Sequence, residues 1–474
     1  MTGTFPEQYV SYLHDESRLS GRAEGIVFPA SEPEVIDVVR RCAAEKIPVT
    51  IQGARTGLVG GAVPVTGMVV NLSAMDRPLS LRREAGGDFL LEVQPGYLLS
   101  SLRRDLIRGK FDWLEPETVD PETIGAFKEA GEQFWPPDPS ELTATLGGIA
   151  ATNGRGPGAF RYGSASEYIQ ALRLVRSDGQ AYELARGDEL LEQVLGGEGM
   201  YGAITSLTLR LRLKPAEMWG IAFFFPTEEG AAAFIDRAAV SGLISLSVLD
   251  FLDRKSLEMV RDLKRVAAKL REISDAPEGA GAAVFLELHA DSEDEIEEAA
   301  QVLMEIAEEL ESDPDESWAL SGDEIEKLRL FRHAVPESVN TRLDHIRLSY
   351  PAATKLAADM TVPGATLTET LTRYRRDIAQ AGIEAVVFGH GGENHLHVNF
   401  LPANDDERQR VEALMLAWLM TARERGGLLF REHGIGKVKK ELFMKAEAQD
   451  TIGARRRLKQ ALDPEEFWNP GNIF

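Results

Sequence analysis

From Glu24 to about Pro215 short apolar runs alternate with glycine-rich turns, a spacing that predicts mostly strands with one or two helices. Val27-Phe28-Pro29 opens the series. Ser31 stands where an N-cap is expected, with Glu34 three residues on, and the apolar spacing beyond predicts a helix to about Lys46. Ile47–Ile51 reads as a strand, and further strands are expected at Met68–Leu72, Phe89–Val93, Ala171–Arg176 and Ile204–Leu213. After Pro215 the pattern changes. Ile221–Phe225 is strand-like, Glu228–Ser241 helical, Val284–His289 a strand again, and Glu293–Glu311 an acidic amphipathic helix. That order predicts a separate α+β domain.

The most informative pattern lies further on. Ala385–Phe388 reads as a buried strand, Gly389–Asn394 is rich in turn residues, and polar and apolar residues alternate from His395 to Phe400. A hairpin of this form puts His395, His397 and Asn399 on one face, Leu396, Val398 and Phe400 on the other, and brings His390 across to His397. Three of the eight histidines fall between Gly389 and Asn399, and His433 follows Glu432 in Arg431-Glu432-His433-Gly434-Ile435-Gly436. Imidazoles beside a carboxylate form a metal site, an acid–base site, or both. A His/His/Asn face flanked by glycines is poor core design, which favours chemistry over coincidence.

Composition narrows the classes. A chain of 474 residues exceeds a single ordinary core, so two or three domains are expected. The net charge of −24 argues against a nucleic-acid partner, because phosphate binding needs a basic surface. With one cysteine, Cys42, the chain can form neither an intrachain disulfide nor a cysteine-ligated iron–sulfur cluster of its own. The N-terminal stretch has no signal-like apolar region, and no apolar run is long enough to span a bilayer. A cytoplasmic location is the expectation, with peripheral attachment at the inner face of the membrane left open.

Three loops expose backbone. Gln52–Ala62 follows a strand; Pro136–Ser140 leads into Thr145–Gly154, with Arg161-Tyr162-Gly163 soon after; and Gly196–Thr205 carries four glycines. Glycines let N–H groups approach an anion closely, and successive N–H groups hold phosphate oxygens. The first of them is neither a Walker A loop nor a proper G-x-G-x-x-G. Three in one domain suit a long, phosphate-bearing cofactor with a large ring system.

These loops resemble the FAD-binding domain of the vanillyl-alcohol oxidase/p-cresol methylhydroxylase fold, and most of all the branch of D-lactate dehydrogenase, glycolate oxidase large subunit and D-2-hydroxyglutarate dehydrogenase. The resemblance runs from Tyr12 to Phe474 and includes Phe331-Arg332-His333-Ala334-Val335-Pro336-Glu337, Asp359-Met360-Thr361-Val362-Pro363, both histidine segments and Trp468-Asn469-Pro470-Gly471. It implies an α+β chain. A two-subdomain FAD-binding domain would occupy 1–215, a ferredoxin-like α+β substrate or cap domain 216–425, and a helical C-terminal segment, 426–474, would return to the flavin. It assigns Gly53, Ala54, Arg55, Thr56, Gly57, Gly60, Gly61, Pro137, Ser140, Gly147, Gly148, Asn153, Gly202, Ile204 and Asn469 to the cofactor. The FAD is expected to be non-covalent, since no histidine lies between His14 and His289 to carry it in that domain. Two stretches depart from the family pattern: Arg186–Leu191, before the third loop, and an acidic insertion from Gly109 to Gln133.

By the same resemblance His390, His397 and Glu432 hold a divalent metal and His433 is the catalytic base. Two imidazoles and one carboxylate suit zinc, with manganese or iron as alternatives, and leave positions open for a 2-hydroxy acid. Arg332 is the first choice for the substrate carboxylate because guanidinium pairs with it bidentately; Lys355 is the second. His395 either touches substrate or supports a ligand. The implied activity is FAD- and metal-dependent oxidation of a D-2-hydroxy acid, D-lactate first, glycolate or D-2-hydroxyglutarate next. The implied acceptor is an electron-transfer flavoprotein, an iron–sulfur subunit or a quinone. A flavin electron-relay subunit is the alternative class, and a homodimer is compatible with either.

Overall fold

The computed structural model describes residues 5–109 and 119–474. Residues 110–118, within the acidic insertion, lie outside them. The chain forms two compact units: 1–156 with 163–214 and 432–474, and 157–162 with 215–431.

In the first unit a parallel three-stranded sheet runs Gly25–Val27, Met68–Asn71, Val49–Gln52. The helix Glu32–Ala44 packs on it through Val35, Val38, Val39 and Cys42, the buried spacing expected from the sequence. Its cap differs from the expectation in one detail. Glu34 reaches back to the Ala30 N–H (3.0 Å), but the Ser31 hydroxyl donates to Glu34 (3.1 Å) instead of capping a backbone N–H. The C-terminal segment completes this layer: Val49 pairs with Trp468, and Phe467 and Trp468 enter the same core. A second, antiparallel sheet has the order Pro78–Arg83, Phe89–Val93, Ala203–Arg210, Ile169–Val175, Ala181–Ala185.

The second unit is built on a seven-stranded sheet, ordered Trp318–Ser321, Glu217–Phe225, Ala282–Ala290, Leu246–Asp253, Ala385–His390, His395–Phe400, Leu356–Ala358. Alternation along Glu217–Phe225 shows how it is covered. Phe224 joins the core under the helix Ile325–Ile346, with Leu328, Phe331 and Val335, while Phe223 and Phe225 meet Phe234 of the helix Glu228–Ala239 on the other face. Burial of this kind, at about 25 cal/mol per Å² of apolar surface, is the main term holding the layers together. Among the described residues no helix is long and apolar enough to cross a membrane.

Toward one end of the sheet the face under Ile325–Ile346 turns from apolar to polar. Ala283 and Phe285 are followed on that face by Glu287 and His289, Leu252 by Asp250, and Phe388 by His390. All four polar residues are buried.

Candidate metal and substrate site

The hairpin forms as the alternation predicts, with a longer first strand. Ala385–His390 continues through both residues of Gly389-His390, and the turn is Gly391–Glu393 followed by Asn394. His390 therefore pairs directly with His395, and Phe388, not His390, stands opposite His397. The three rings still cluster, with centroids 5.1–5.6 Å apart. Two local features make this turn. Gly389 has φ +123°, and a Cβ there would fall 2.6 Å from the His397 ring. Asn394 adopts the left-handed region (φ +49°), and its amide donates to the Val362 and Ala365 carbonyls at 3.1 and 2.9 Å.

His390 and His395 each have a carboxylate fixing them: Asp250, which belongs to no motif, and Asp359, which opens the Asp359–Pro363 motif. Asp250 lies 2.9 Å from His390 Nδ1 and accepts from Arg332 Nε at 2.7 Å on its other oxygen. Burial pushes the Asp250 carboxyl up, but the Arg332 charge and the hydrogen bonds from His390 and Arg332 outweigh it and hold the group at about 2. An ionised carboxylate only accepts, so the proton belongs on His390 Nδ1 and the lone pair on Nε2. Asp359 lies 2.9 Å from His395 Nε2, and both side chains are fully buried. The only sign of Asp250 in the sequence is a polar residue inside the otherwise apolar run Leu249-Asp250-Phe251-Leu252.

Chain connectivity delivers the remaining acid. Met360 bridges Leu429 and Phe430 N–H donates to the Asp359 carbonyl (2.8 Å), so the backbone leaves the sheet beside the histidines and reaches Glu432 two residues later. His390, His397 and Glu432 each present a ligand atom, all within 4.8 Å of one another. That donor set could hold a divalent cation. His395 Nδ1 and Asn399 Oδ1 are buried on the same strand face with no hydrogen-bond partner among the described residues, a condition that a bound ligand would relieve.

The other expected substrate residues are placed differently. Arg332 is buried with its Nε engaged by Asp250, and Lys355 Nζ lies 3.4 Å from Asn340 Oδ1. One turn before Arg332, the half-buried Arg329 pairs with buried Glu287, donating to both its oxygens (2.8 and 2.7 Å), while Glu287 also meets His289 Nε2 at 3.0 Å and His289 Nδ1 meets the Tyr162 hydroxyl at 2.9 Å. Burial pushes Glu287 up; Arg329 overrides it and holds the carboxyl well below the usual range. A depressed folded-state value stabilises the fold above the unfolded pKa of about 4.3, and that contribution is lost as the pH falls toward the folded value. Glu287→Gln is therefore expected to flatten the acid limb of a melting-temperature profile below about pH 4; an unaltered limb would show that Glu287 does not set it.

In the first unit the glycines separate by cause. At Gly53 a Cβ would lie 2.2 Å from Thr145 Oγ1, at Gly147 2.6 Å from Pro95 and at Gly202 2.6 Å from the Val175 carbonyl, so internal packing alone requires them. Gly57 differs: a Cβ there meets nothing within 4 Å, which leaves its backbone open to a ligand. In the same loop, between Ala54 and Thr56, Arg55 has φ +64° and lays its guanidinium 4.1 Å over the Tyr12 ring, with a hydrogen bond to the Ser11 carbonyl. Gly60 has φ +75° and its carbonyl accepts from Lys437 Nζ, and the Gly61 carbonyl accepts from Asn472. Gly148 N–H donates to Thr145 Oγ1 (3.3 Å), and Asn153 closes the following helix with φ +49°, its side chain accepting from Ser166 N–H. Ile204 lies buried in a strand and Pro137 is buried. Asn469 is a strut, accepting from Ile51 N–H (2.7 Å) and donating to the Glu198 carbonyl (2.9 Å).

Residues 214–473 match the model of the C-terminal domain of FAD linked oxidases, and residues 23–132 and 128–185 match an FAD binding domain. A D-lactate dehydrogenase of Anaerostipes hadrus is 28% identical over 98% of this chain and 92% of its own length. The glycolate oxidase subunit GlcD of Bacillus subtilis is 25% identical over 95% of this chain and 89% of its own. A D-2-hydroxyglutarate dehydrogenase of Xanthomonas citri pv. viticola is 26% identical over the same shares, 95% and 89%. Among solved structures an alkyldihydroxyacetonephosphate synthase superposes with a TM-score of 0.67 over 97% of this chain and 81% of its own, at 16% identity, a likeness of fold.

Proposed function

The chain belongs to the FAD-linked oxidase family, in the branch of the D-lactate, glycolate and D-2-hydroxyglutarate enzymes, and on that premise we propose that it oxidises a D-2-hydroxy acid, D-lactate before glycolate or D-2-hydroxyglutarate, with the aid of a divalent metal. The observation that carries the reading is the set of two buried histidines, His390 and His397, with the half-buried Glu432, the His390 proton being fixed on Nδ1 by Asp250. When bound, FAD accepts the hydride from Cα, and a cation on these three residues, zinc by preference, lowers the pKa of the substrate hydroxyl.

The residues of the chain supply the rest. His433, next to Glu432, is assigned the hydroxyl proton, which a neutral imidazole accepts as general base. Arg332 and Lys355 are assigned the substrate carboxylate. His395 is held by Asp359 with Nδ1 directed away from that bond, so it can orient substrate without serving as a ligand. Asp250 has a supporting role, since a fixed tautomer keeps Nε2 of His390 ready as a donor to metal. Electrons then pass to an acceptor other than a nicotinamide, for which an electron-transfer flavoprotein, an iron–sulfur subunit and a quinone are the alternatives.

Anaerobic titration of the purified protein with D-lactate, L-lactate, glycolate and D-2-hydroxyglutarate tests the reading, with metal analysis on the same sample. Loss of the oxidised flavin absorbance is expected with D-lactate and not with L-lactate, in protein carrying about one divalent metal per chain. A flavin that none of the acids bleaches would dispose of the proposal in favour of an electron-relay role.

A further inference from the structure

The turn that carries His433 is built on a carboxylate to which the proposed chemistry gives no role. Glu198, in the third glycine loop, has φ +51° and is buried. Its two oxygens accept from two successive backbone amides, Oε1 from Ile435 N–H at 2.6 Å and Oε2 from Gly436 N–H at 2.7 Å. The first glycine loop holds the same turn from another side: the Val59 carbonyl accepts from Lys437 and Val438 N–H at 2.8 and 3.0 Å. Both glycines of His433-Gly434-Ile435-Gly436 are required by these contacts. A Cβ on Gly434 would fall 2.8 Å from Glu198 Oε1, and one on Gly436 2.2 Å from the Val59 carbonyl.

The two amides, at 2.6 and 2.7 Å, argue for a carboxylate clamp against the cost of its burial. Burial leaves the Glu198 carboxyl raised above its ordinary value, offset only in part by the Ile435 and Gly436 amides and then by the charges of Arg455 and Lys437. Two amide donors ask for two accepting oxygens, which the ionised carboxylate has and the protonated acid lacks. Lys437, lowered to about 8 by burial, is partly restored by the charges of Asp15 and Glu198. The Glu198 carbonyl is taken up as well, by Asn469 at 2.9 Å and Asn472 at 3.2 Å. The residue thus ties the third glycine loop to two separate parts of the C-terminal segment.

We infer that Glu198 is the positioning residue of the catalytic turn, its carboxylate registering His433 against the two glycine loops through the Ile435 and Gly436 amides. The inference rests on His433 being the base. A base displaced by about 1 Å loses roughly 100-fold in rate while binding is little affected, and that separates positioning from a general structural role.

Glu198→Gln offers one accepting oxygen where two are needed. In the FAD-loaded protein, anaerobic stopped-flow reduction by D-lactate is expected to slow at least about tenfold, with FAD content and the half-saturating D-lactate concentration within about threefold of the parent. Hydrogen exchange at the 433–437 amides is expected to quicken at least about tenfold. Gly434→Ala, which drives a Cβ at the clamp while leaving Glu198 in place, should show the same pair of changes and covers the case in which the Gln variant folds poorly. Parental reduction rates in both variants would overturn the inference, as would a loss of rate that merely follows loss of FAD. The exchange measurement needs no turnover: if the parent oxidises no hydroxy acid, the functional reading fails while unchanged exchange in Glu198→Gln still refutes the clamp on its own.

Discussion

His433→Ala is expected to bind FAD as the parent does and to reduce it with substrate roughly 10²–10⁴-fold more slowly, the span that general base catalysis supplies. The reason is local. Oxidation of an unactivated alcohol needs the hydroxyl proton removed as hydride leaves Cα, and the flavin takes only the hydride. His397→Ala is the companion variant, and it should lose bound metal, since a two-ligand remnant of the His390, His397, Glu432 set is a poor site. The two variants therefore separate base from ligand: one keeps metal and loses proton transfer, the other loses both. Stopped-flow absorbance and metal analysis read them. Flavin reduction by His433→Ala within about tenfold of the parent would remove His433 as the essential base.

The second large effect is on stability. Arg332→Ala would leave Asp250 ionised, fully buried and without its guanidinium, which breaks a buried pair at a cost of about 3–5 kcal/mol. For a folding unit of this size that corresponds to a fall of roughly 10 °C in the melting temperature. Asp250→Asn should cost less, because the amide keeps the shape and removes the charge, yet it no longer dictates which nitrogen of His390 bears the proton. The double variant is expected to recover part of the Arg332→Ala loss, a coupling that a double-mutant cycle measures directly. Strict additivity would mean that Arg332 and Asp250 do not act as a pair.

Much of the architecture is legible in the residues alone. Strands of both units, the acidic helix Glu293–Glu309 and the histidine hairpin follow from periods of 2 and 3.6 along the chain. The helix Ile325–Ile346 is not legible in that way, and Pro336 within it explains why: a proline inside the pattern argues against a helix, and a helix packed through ten buried residues shows little one-sided periodicity. His390, His397, Glu432 and His433 stand out because histidine is rare here and clustered. Asp250 and Glu198 do not, because each lies far along the chain from the group it holds: Asp250 is 140 residues from His390, Glu198 237 from Ile435.

The sequence by itself determined which donor groups the chain offers, since imidazoles, a carboxylate and glycines that bare the backbone are properties of residue type and short spacing. Only the tertiary structure decided how those groups are held. A proton placed on Nδ1 of His390, or an amide pair gripped behind His433, depends on a buried partner delivered by another strand or loop, and short-range periodicity carries no record of which distant residue that is.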